Sequence, residues 1–426
     1  MRKRTAAGLA LGALVVAGAV LGYRMRRGEQ AHALEGRAAR LLHPPLSEAS
    51  SFQDIRAAEA RELLEEAQQF ASSPEQLALI EQAEIIRLLQ RGDYTAAERR
   101  LAHRSDAGDE FSLLRAALAL AKKDLAAAER ALSRLSAAAG EQPRVALLRS
   151  DLARARGQAD LALEYAQRGL DHAAQSAALY ERRGLAYELL DDVEHARADL
   201  ERAAALDARG VTALLALGRV LRSAGAMRDA VLAFHAASER SPSEAEAWLG
   251  SGVCRAAMGD YVAARVDLER AAELAPARAE PLVGLGDVDV AQGQLENALG
   301  RYKAAALLDP TSATARVKLG NALLRKGTIA AAATEFRGAI ERRPDLGAAH
   351  NGLGVALLEQ GDLADAETEL KVAASLDPND AHPMLNLARL YKRRGDSPQL
   401  ADALAQAEAR DPQLRITSSD ASTKKH

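Results

Sequence analysis

The residues best placed to do chemistry in this chain are two glycine pairs, nine histidines and one thiol. Gly284-Leu285-Gly286 and Gly352-Leu353-Gly354 are each a fragment of a dinucleotide-binding fingerprint, in which glycines let the backbone turn close against a pyrophosphate. That chemistry needs a strand directly before the glycines. No strand pattern precedes either site, and the two pairs are 68 residues apart, twice a 34-residue interval that recurs elsewhere, so they read as packing glycines. No phosphate loop ending in Lys-Ser/Thr and no His-Glu-x-x-His occurs. The histidines are scattered, and His350 has no neighbouring metal-ligand pattern. Cys254, the only cysteine, forms no internal disulfide and reads as a small core residue. No serine or cysteine has an identifiable base. The expectation is a chain that is not an enzyme, with no catalytic residue, metal or cofactor.

The interval that disposes of the glycines organises the whole chain. Prolines fall at Pro242, Pro276, Pro310, Pro344, Pro378 and Pro412, each 34 residues after the last. Gly184, Gly218, Gly252, Gly286, Gly320 and Gly354 keep the same step, as do Gly225, Gly259, Gly293, Gly327, Gly361 and Gly395. An alanine series runs Ala128, Ala162, Ala196, Ala230, Ala264, Ala298, Ala332, Ala366. A fixed period of this length marks a solenoid built from one supersecondary unit. Within Gly347 to Asp380, Leu353-Gly354 sits midway along a first helix, where a missing side chain lets a neighbour approach. Gly361-Asp362 ends that helix, because glycine takes the left-handed conformation without steric cost. Ala366, Leu370 and Ala373 give the second helix its contact face, and Pro378 stops it. The unit is a helix hairpin.

These residues resemble the tetratricopeptide repeat pattern W-x2-L-G-x2-Y, A-x3-F, P. The repeat from Ala245 reads Trp248, Gly252, Tyr261, Ala264, Leu268, Ala271, Pro276, departing at Ser251 and Arg255. The repeat from Ala313 supplies Leu319-Gly320, Leu323, Ala332, Phe336, Pro344; the one from Ala177 supplies Tyr180, Gly184, Tyr187, Ala196, Leu200 and lacks the proline. The units from Asp109 and Pro143 keep the alanine but lose the glycine. The phase holds from Asp109 to Leu414, which is 306 residues or nine units of 34, and a shorter tenth unit covers about 78–108. The resemblance implies an all-α, right-handed α-solenoid of tandem helix-turn-helix repeats over 78–414, with a capping helix over 54–77 and a disordered tail over 415–426.

Composition agrees. Aromatics at 3% are too few for a large globular core, whereas alanine-rich hairpins pack closely without them, and a net charge of −3 gives no electrostatic case for nucleic acid. No small-molecule substrate is implied either.

Residues 1–27 form a separate element, joined to the repeats by a linker at 28–53 marked by Pro44-Pro45. Arg2, Lys3 and Arg4 precede an uncharged run, Thr5 to Gly22, and Arg24, Arg26 and Arg27 follow it. At ~1.5 Å per residue, Thr5 to Gly22 spans roughly 27 Å, close to the hydrocarbon thickness of a bilayer. Two readings stay open: a retained transmembrane signal-anchor, or a signal peptide cleaved after Ala17-Gly18-Ala19. The continuation of the apolar run past Ala19 favours the anchor. Basic residues on both flanks pull the orientation both ways, and an ordinary signal-anchor would put the repeats outside the cytoplasm, in a bacterial periplasm.

Function then falls to surfaces. In the family, first helices line the concave face, and the resemblance places Asn321, Leu324, Asn351, Leu358, Arg389 and Lys392 there, with Arg325, Asn386 and Arg393 beside them. Asparagine amides both donate and accept, and so suit an extended peptide backbone. Val317 stands where the lysine of a carboxylate clamp would be. Glu367 and Lys371 read as uninvolved residues on the opposite, convex side. The implied function is a membrane-anchored scaffold recruiting protein partners to an envelope assembly. The alternatives are a periplasmic chaperone-like or pilus/secretion accessory protein, and a cytoplasm-facing tether for an envelope-synthesis enzyme or protease.

Overall fold

The computed structural model describes residues 74–102 and 108–411; the expected anchor, the linker, most of the capping segment and the tail lie outside the described residues. All the regular structure described is helical. The described residues divide into two compact units, with the boundary between Cys254 and Arg255. Within each, helix hairpins stack in chain order as an α-solenoid.

The first unit holds α1 (Pro74–Arg91), α2 (Tyr94–Ala102), α3 (Asp109–Ala121), α4 (Leu125–Leu132), α5 (Ala137–Gly140), α6 (Pro143–Ala155), α7 (Ala159–His172), α8 (Ala177–Leu189), α9 (Val193–Leu206), α10 (Thr212–Ser223) and α11 (Met227–Arg240). The unit boundary falls inside α12 (Ala245–Ala257). The second unit continues with α13 (Tyr261–Leu274), α14 (Glu280–Ala291), α15 (Leu295–Leu308), α16 (Ala313–Lys326), α17 (Ile329–Arg342), α18 (Gly347–Gln360), α19 (Leu363–Leu376), α20 (His382–Arg394) and α21 (Ser397–Arg410). Helix α1 begins four residues ahead of the expected start of the repeats at Ala78.

Each periodic series has one structural job. The alanines from Ala128 to Ala366 are all 0% exposed, because helices meet there too closely for a larger side chain. The turn glycines from Gly225 to Gly395 all have positive φ, which L side chains adopt at a steric cost. The same position carries Lys123, Gly157 and Asp191 further upstream, and the two non-glycines there take φ of 62° and 58°. Asp192, the residue after one of them, accepts from the His195 amide and caps α9, which offsets part of the strain at Asp191. Where the prolines occur, every second helix ends two residues before them, since the residue preceding a proline is pushed out of the helical region. Helix α9 stops without a proline: the Asp207 carboxylate accepts from the amides of Arg209 and Gly210 and closes a turn instead.

The mid-helix glycines have a shared partner. Phe336 lies between Gly320 of its own repeat and Gly352 of the next, and a Cβ on either would fall inside contact distance of the ring. Phe234 lies in the same way between Gly218 and Gly250. Smaller occupants of this position, Leu200 and Leu370, press on Gly184 and Gly354. Gly286 of the first chemical decoy takes the Tyr302 ring, so it is a spacer. His350 is buried; its Nε2 faces the Pro344 carbonyl at 3.0 Å, and Trp248, at the same repeat position three repeats earlier, donates to the Pro242 carbonyl at the same distance.

The repeat from Asp109 departs from a simple hairpin. Its second helix, α4, has only 8 residues, and the short α5 follows. Ser136 starts α5 by accepting from the Ala139 amide, while its own amide and hydroxyl donate to the Asp109 carboxylate. This polar knot replaces the last turn and a half of a continuous second helix.

Candidate functional site

In the first unit ion pairs link the first helices of successive repeats. Arg182 of α8 reaches Asp151 of α6 at 2.7 Å and Glu181 at 2.8 Å, and Thr212 of α10 donates to Glu181 at 2.7 Å. Burial works against the Arg182 charge, but Asp151 and Glu181 outweigh it and hold the guanidinium above its ordinary pKa. Arg219 of α10 pairs with Glu246 of α12 at 2.8 Å. These side chains pair from one repeat to the next.

The second unit differs towards its C-terminal end. On α14, Asp287 accepts from Tyr302 at 2.6 Å and pairs with Lys318 of α16 at 2.9 Å; burial, then this hydrogen bond, pushes the Tyr302 phenol up. Beyond that point the pairing thins. Asn321 and Arg325 of α16 are exposed and have no polar partner among the described residues, and Leu324 between them is half-buried against the core. On α18 and α20, Asn386 Nδ2 donates to Asn351 Oδ1 at 2.9 Å, and Arg389 donates to Asn386 Oδ1 at 3.4 Å while standing 3.7 Å from Glu359. The Asn351 amide nitrogen makes no hydrogen bond among the described residues. Lys392, exposed at the end of α20, has no partner among them either.

Two expected site residues have other roles. Leu358 is 3% exposed, within the core cluster that holds Leu353, Leu357 and Tyr391, so its side chain lies beneath the face. Helix α18 is apolar nearly all round, and the burial of position 358 follows from packing on both sides. What Leu358 offers the surface is its carbonyl, which accepts from Arg393; this ties that arginine to the scaffold. Asn351, Asn386 and Arg389 thus form one linked patch on α18 and α20, Arg393 is tied separately to α18 through the Leu358 carbonyl, and Asn321, Leu324 and Arg325 stand on α16 without a direct bond to either.

Glu367 and Lys371 are not bystanders. Glu367 is 16% exposed on its side chain and accepts from Lys371 at 2.7 Å, Tyr391 at 3.0 Å and Arg394 at 2.6 Å. The Lys371 hydrogen bond first, and Arg394 and Tyr391 with it, outweigh burial and hold the carboxyl down at about 2. This cluster bolts α19 to α20. Sequence reading missed it and the other inter-repeat pairs, yet a signal exists. Asp151–Arg182, Glu181–Thr212 and Asp287–Lys318 are each 31 residues apart, and Glu359–Arg389 are 30 apart. That is one period less a helical turn, which brings a side chain level with its neighbour in the next repeat.

Metal-ligand clusters are absent among the described residues, as is any helix long and apolar enough to cross a membrane. Tetratricopeptide repeat family models match residues 177–209, 215–279, 286–327 and 329–381. Residues 177–381 are therefore built of tetratricopeptide repeats. A crystal structure of the APC/C hetero-tetramer Cut9–Hcn1 is similar over 86% of this chain and 86% of that one, at 16% identity and a TM-score of 0.50. Yeast Tom70 is similar over 86% of this chain and 94% of its own, at 16% identity and a TM-score of 0.48. YrrB, described as a repeat protein of this kind with an unusual peptide-binding site, covers 43% of this chain and 95% of its own, at 22% identity and a TM-score of 0.33. At 16% identity the Cut9–Hcn1 likeness shows the fold alone. No curated protein matches the sequence.

Proposed function

We propose that this chain is a non-enzymatic scaffold that holds a protein partner, in extended form, along the first-helix face of α16, α18 and α20. Proteins of this repeat class bind protein and peptide partners, and their fold is typically non-catalytic. One observation carries the placement. The first unit's face carries ion pairs that run from repeat to repeat, whereas Asn321, Arg325, the Asn351 amide nitrogen and Lys392 keep unspent donors. Amide donors suit backbone carbonyls, and the two cations suit acidic side chains. The apolar run Thr5 to Gly22, lying outside the described residues, would tether the scaffold to a bacterial inner membrane with its repeats on the periplasmic side.

The test is co-purification from membranes of the full chain and of two variants, Asn351→Ala and the pair Arg325→Glu with Lys392→Glu. Arg337→Glu, an exposed change on the second helix α17, serves as control. At equal helicity, the paired reversal should lose the partner, Asn351→Ala should weaken it severalfold, and the control should retain it. Partners retained by every variant would remove recognition from this face. A reporter fused after His426 decides the sidedness.

A further inference from the structure

One position of the repeat carries a row of charges that packing does not require. Arg325 of α16, Glu359 of α18 and Arg393 of α20 stand 34 residues apart, at the ends of three consecutive first helices, and all three are exposed. Arg389 lies one turn before Arg393 and Lys392 directly before it, so the row and its neighbours on α20 set four cations against one carboxylate. That carboxylate is hydrogen-bonded to none of them. Glu359 Oε1 stands 3.7 Å from the Arg389 guanidinium, beyond hydrogen-bond distance, and the side chains are 46% and 42% exposed. Ion pairs that join successive repeats elsewhere in this unit are closed. Asp287 meets Lys318 at 2.9 Å, and the buried Asp289 takes Arg265 of the preceding repeat on one oxygen and Arg301 of its own on the other, each at 2.8 Å. Arg389 is instead divided between Glu359 and the Asn386 side-chain oxygen, 3.4 Å away. Arg393 is spent on the Leu358 carbonyl, whereas Arg325 and Lys392 have no partner among the described residues.

We propose that Glu359 is a built-in competitor for an acidic partner segment: it holds Arg389 loosely in the free chain and yields it to a partner carboxylate. The inference rests on the reading of the α16, α18 and α20 face as the binding site, and adds to it the residue that withholds one of its cations. Solvent screens an exposed pair at this separation, so Glu359 is held weakly. It also gives up no hydrogen bond when it is displaced. A partner carboxylate that accepts two parallel bonds from the guanidinium gains more than the contact it removes. Arg325, Arg389 and Lys392 then face the ligand together. A segment with one acidic residue must displace Glu359 for a single new pair, whereas a run of acidic residues adds pairs to Arg325 and Lys392 that cost no displacement. Glu359 therefore selects for runs. The amides of Asn321 and Asn351 on the same face favour a protein segment over a phosphate backbone, because they suit peptide carbonyls.

The experiment uses the full chain in detergent and a fluorescent oligoglutamate peptide, read by anisotropy. The binding counted is the part that Arg325→Glu with Lys392→Glu removes. Glu359→Gln should tighten that binding about two- to fivefold, the range that loss of one exposed competing pair allows. In an Arg389→Gln background the same change should bring little gain, because the cation that Glu359 withheld is gone. An equal gain in both backgrounds means that Glu359 merely repels the peptide, and overturns the proposal. No gain from Glu359→Gln, with the paired reversal still removing binding, also overturns it and leaves the face as the site. A peptide that stays bound after the paired reversal removes the site itself, and the competitor with it. An oligothymidylate held more tightly than the oligoglutamate by the counted part assigns the face to a phosphate backbone and overturns the proposal as well.

Discussion

Gly352→Ala tests the spacing argument on which every hairpin contact in this chain rests. The Phe336 ring is wholly buried, with the Gly320 position on one side and the Gly352 position on the other. A Cβ at 352 would stand 2.5 Å from the ring's Cζ and 2.7 Å from its Cδ1. Carbon atoms pack best at about 3.5–4.0 Å, so the ring must retreat by roughly 1 Å. It has nowhere to go, because a Cβ built on Gly320 already lies 2.7 Å from Cε1. Overpacking of this kind costs about 1–3 kcal/mol. Replacing glycine by alanine in a helix returns about 0.5–1 kcal/mol. The net expectation is a loss of about 1–2 kcal/mol. Gly338→Ala is the internal control, since its added carbon would make only ordinary contacts, the nearest at 3.5 Å, and should stabilise by about 0.5–1 kcal/mol. Urea unfolding followed by far-UV circular dichroism reads both. In a double-mutant cycle with Phe336→Leu, the smaller side chain should recover about 1 kcal/mol of the Gly352→Ala loss. If Gly352→Ala instead raises the midpoint as Gly338→Ala does, the glycine is no spacer and the account of the repeat fails.

Three further outcomes follow from the charged and thiol groups. Asp289→Asn leaves Arg265 and Arg301 facing each other over a buried neutral group and should cost about 2–4 kcal/mol in urea unfolding, less than for fully buried partners because both arginines reach solvent; a loss under about 1 kcal/mol would show that water already screens the site. Glu367 is ordinarily a carboxyl of pKa near 4.5 and is held at about 2 in the folded chain, so its stabilisation is complete above 4.5 and disappears as pH falls from there through 2. Glu367→Gln should therefore be less stable than the parent by about 1–2 kcal/mol at neutral pH, after allowance for screening, with the difference shrinking as pH falls from 4.5 and vanishing below 2; a constant difference across that range would contradict the assignment. Cys254 is fully buried and burial pushes its thiol up, so a thiol reagent should label it only on unfolding, and rapid labelling of the native chain would show that α12 opens locally.

The sequence by itself determined the repeat and most of its interior. A period is a statement about neighbours: when every unit meets the next in the same way, a contact that admits only alanine or glycine must recur at the same interval. Ala128 through Ala366 are wholly buried and Gly225 through Gly395 all turn left-handed for that reason, and both series were legible before any coordinate. Even the exceptions kept phase, since Lys123 and Asp191 take the glycine's conformation where no glycine stands. The tertiary structure decided what each surface residue is doing. Leu358 and Asn351 lie seven residues apart on one helix and both fit the expected face, yet Leu358 is in the core, because burial depends on how far α18 turns against its neighbours on both sides. Glu367 looked like an idle surface charge until α20 brought Tyr391 and Arg394 to it. Hydrophobic periodicity reports which side of a helix is covered. Whether an exposed cation is spent on a neighbour or left for a partner depends on a few ångströms between repeats, and only the folded chain sets that distance.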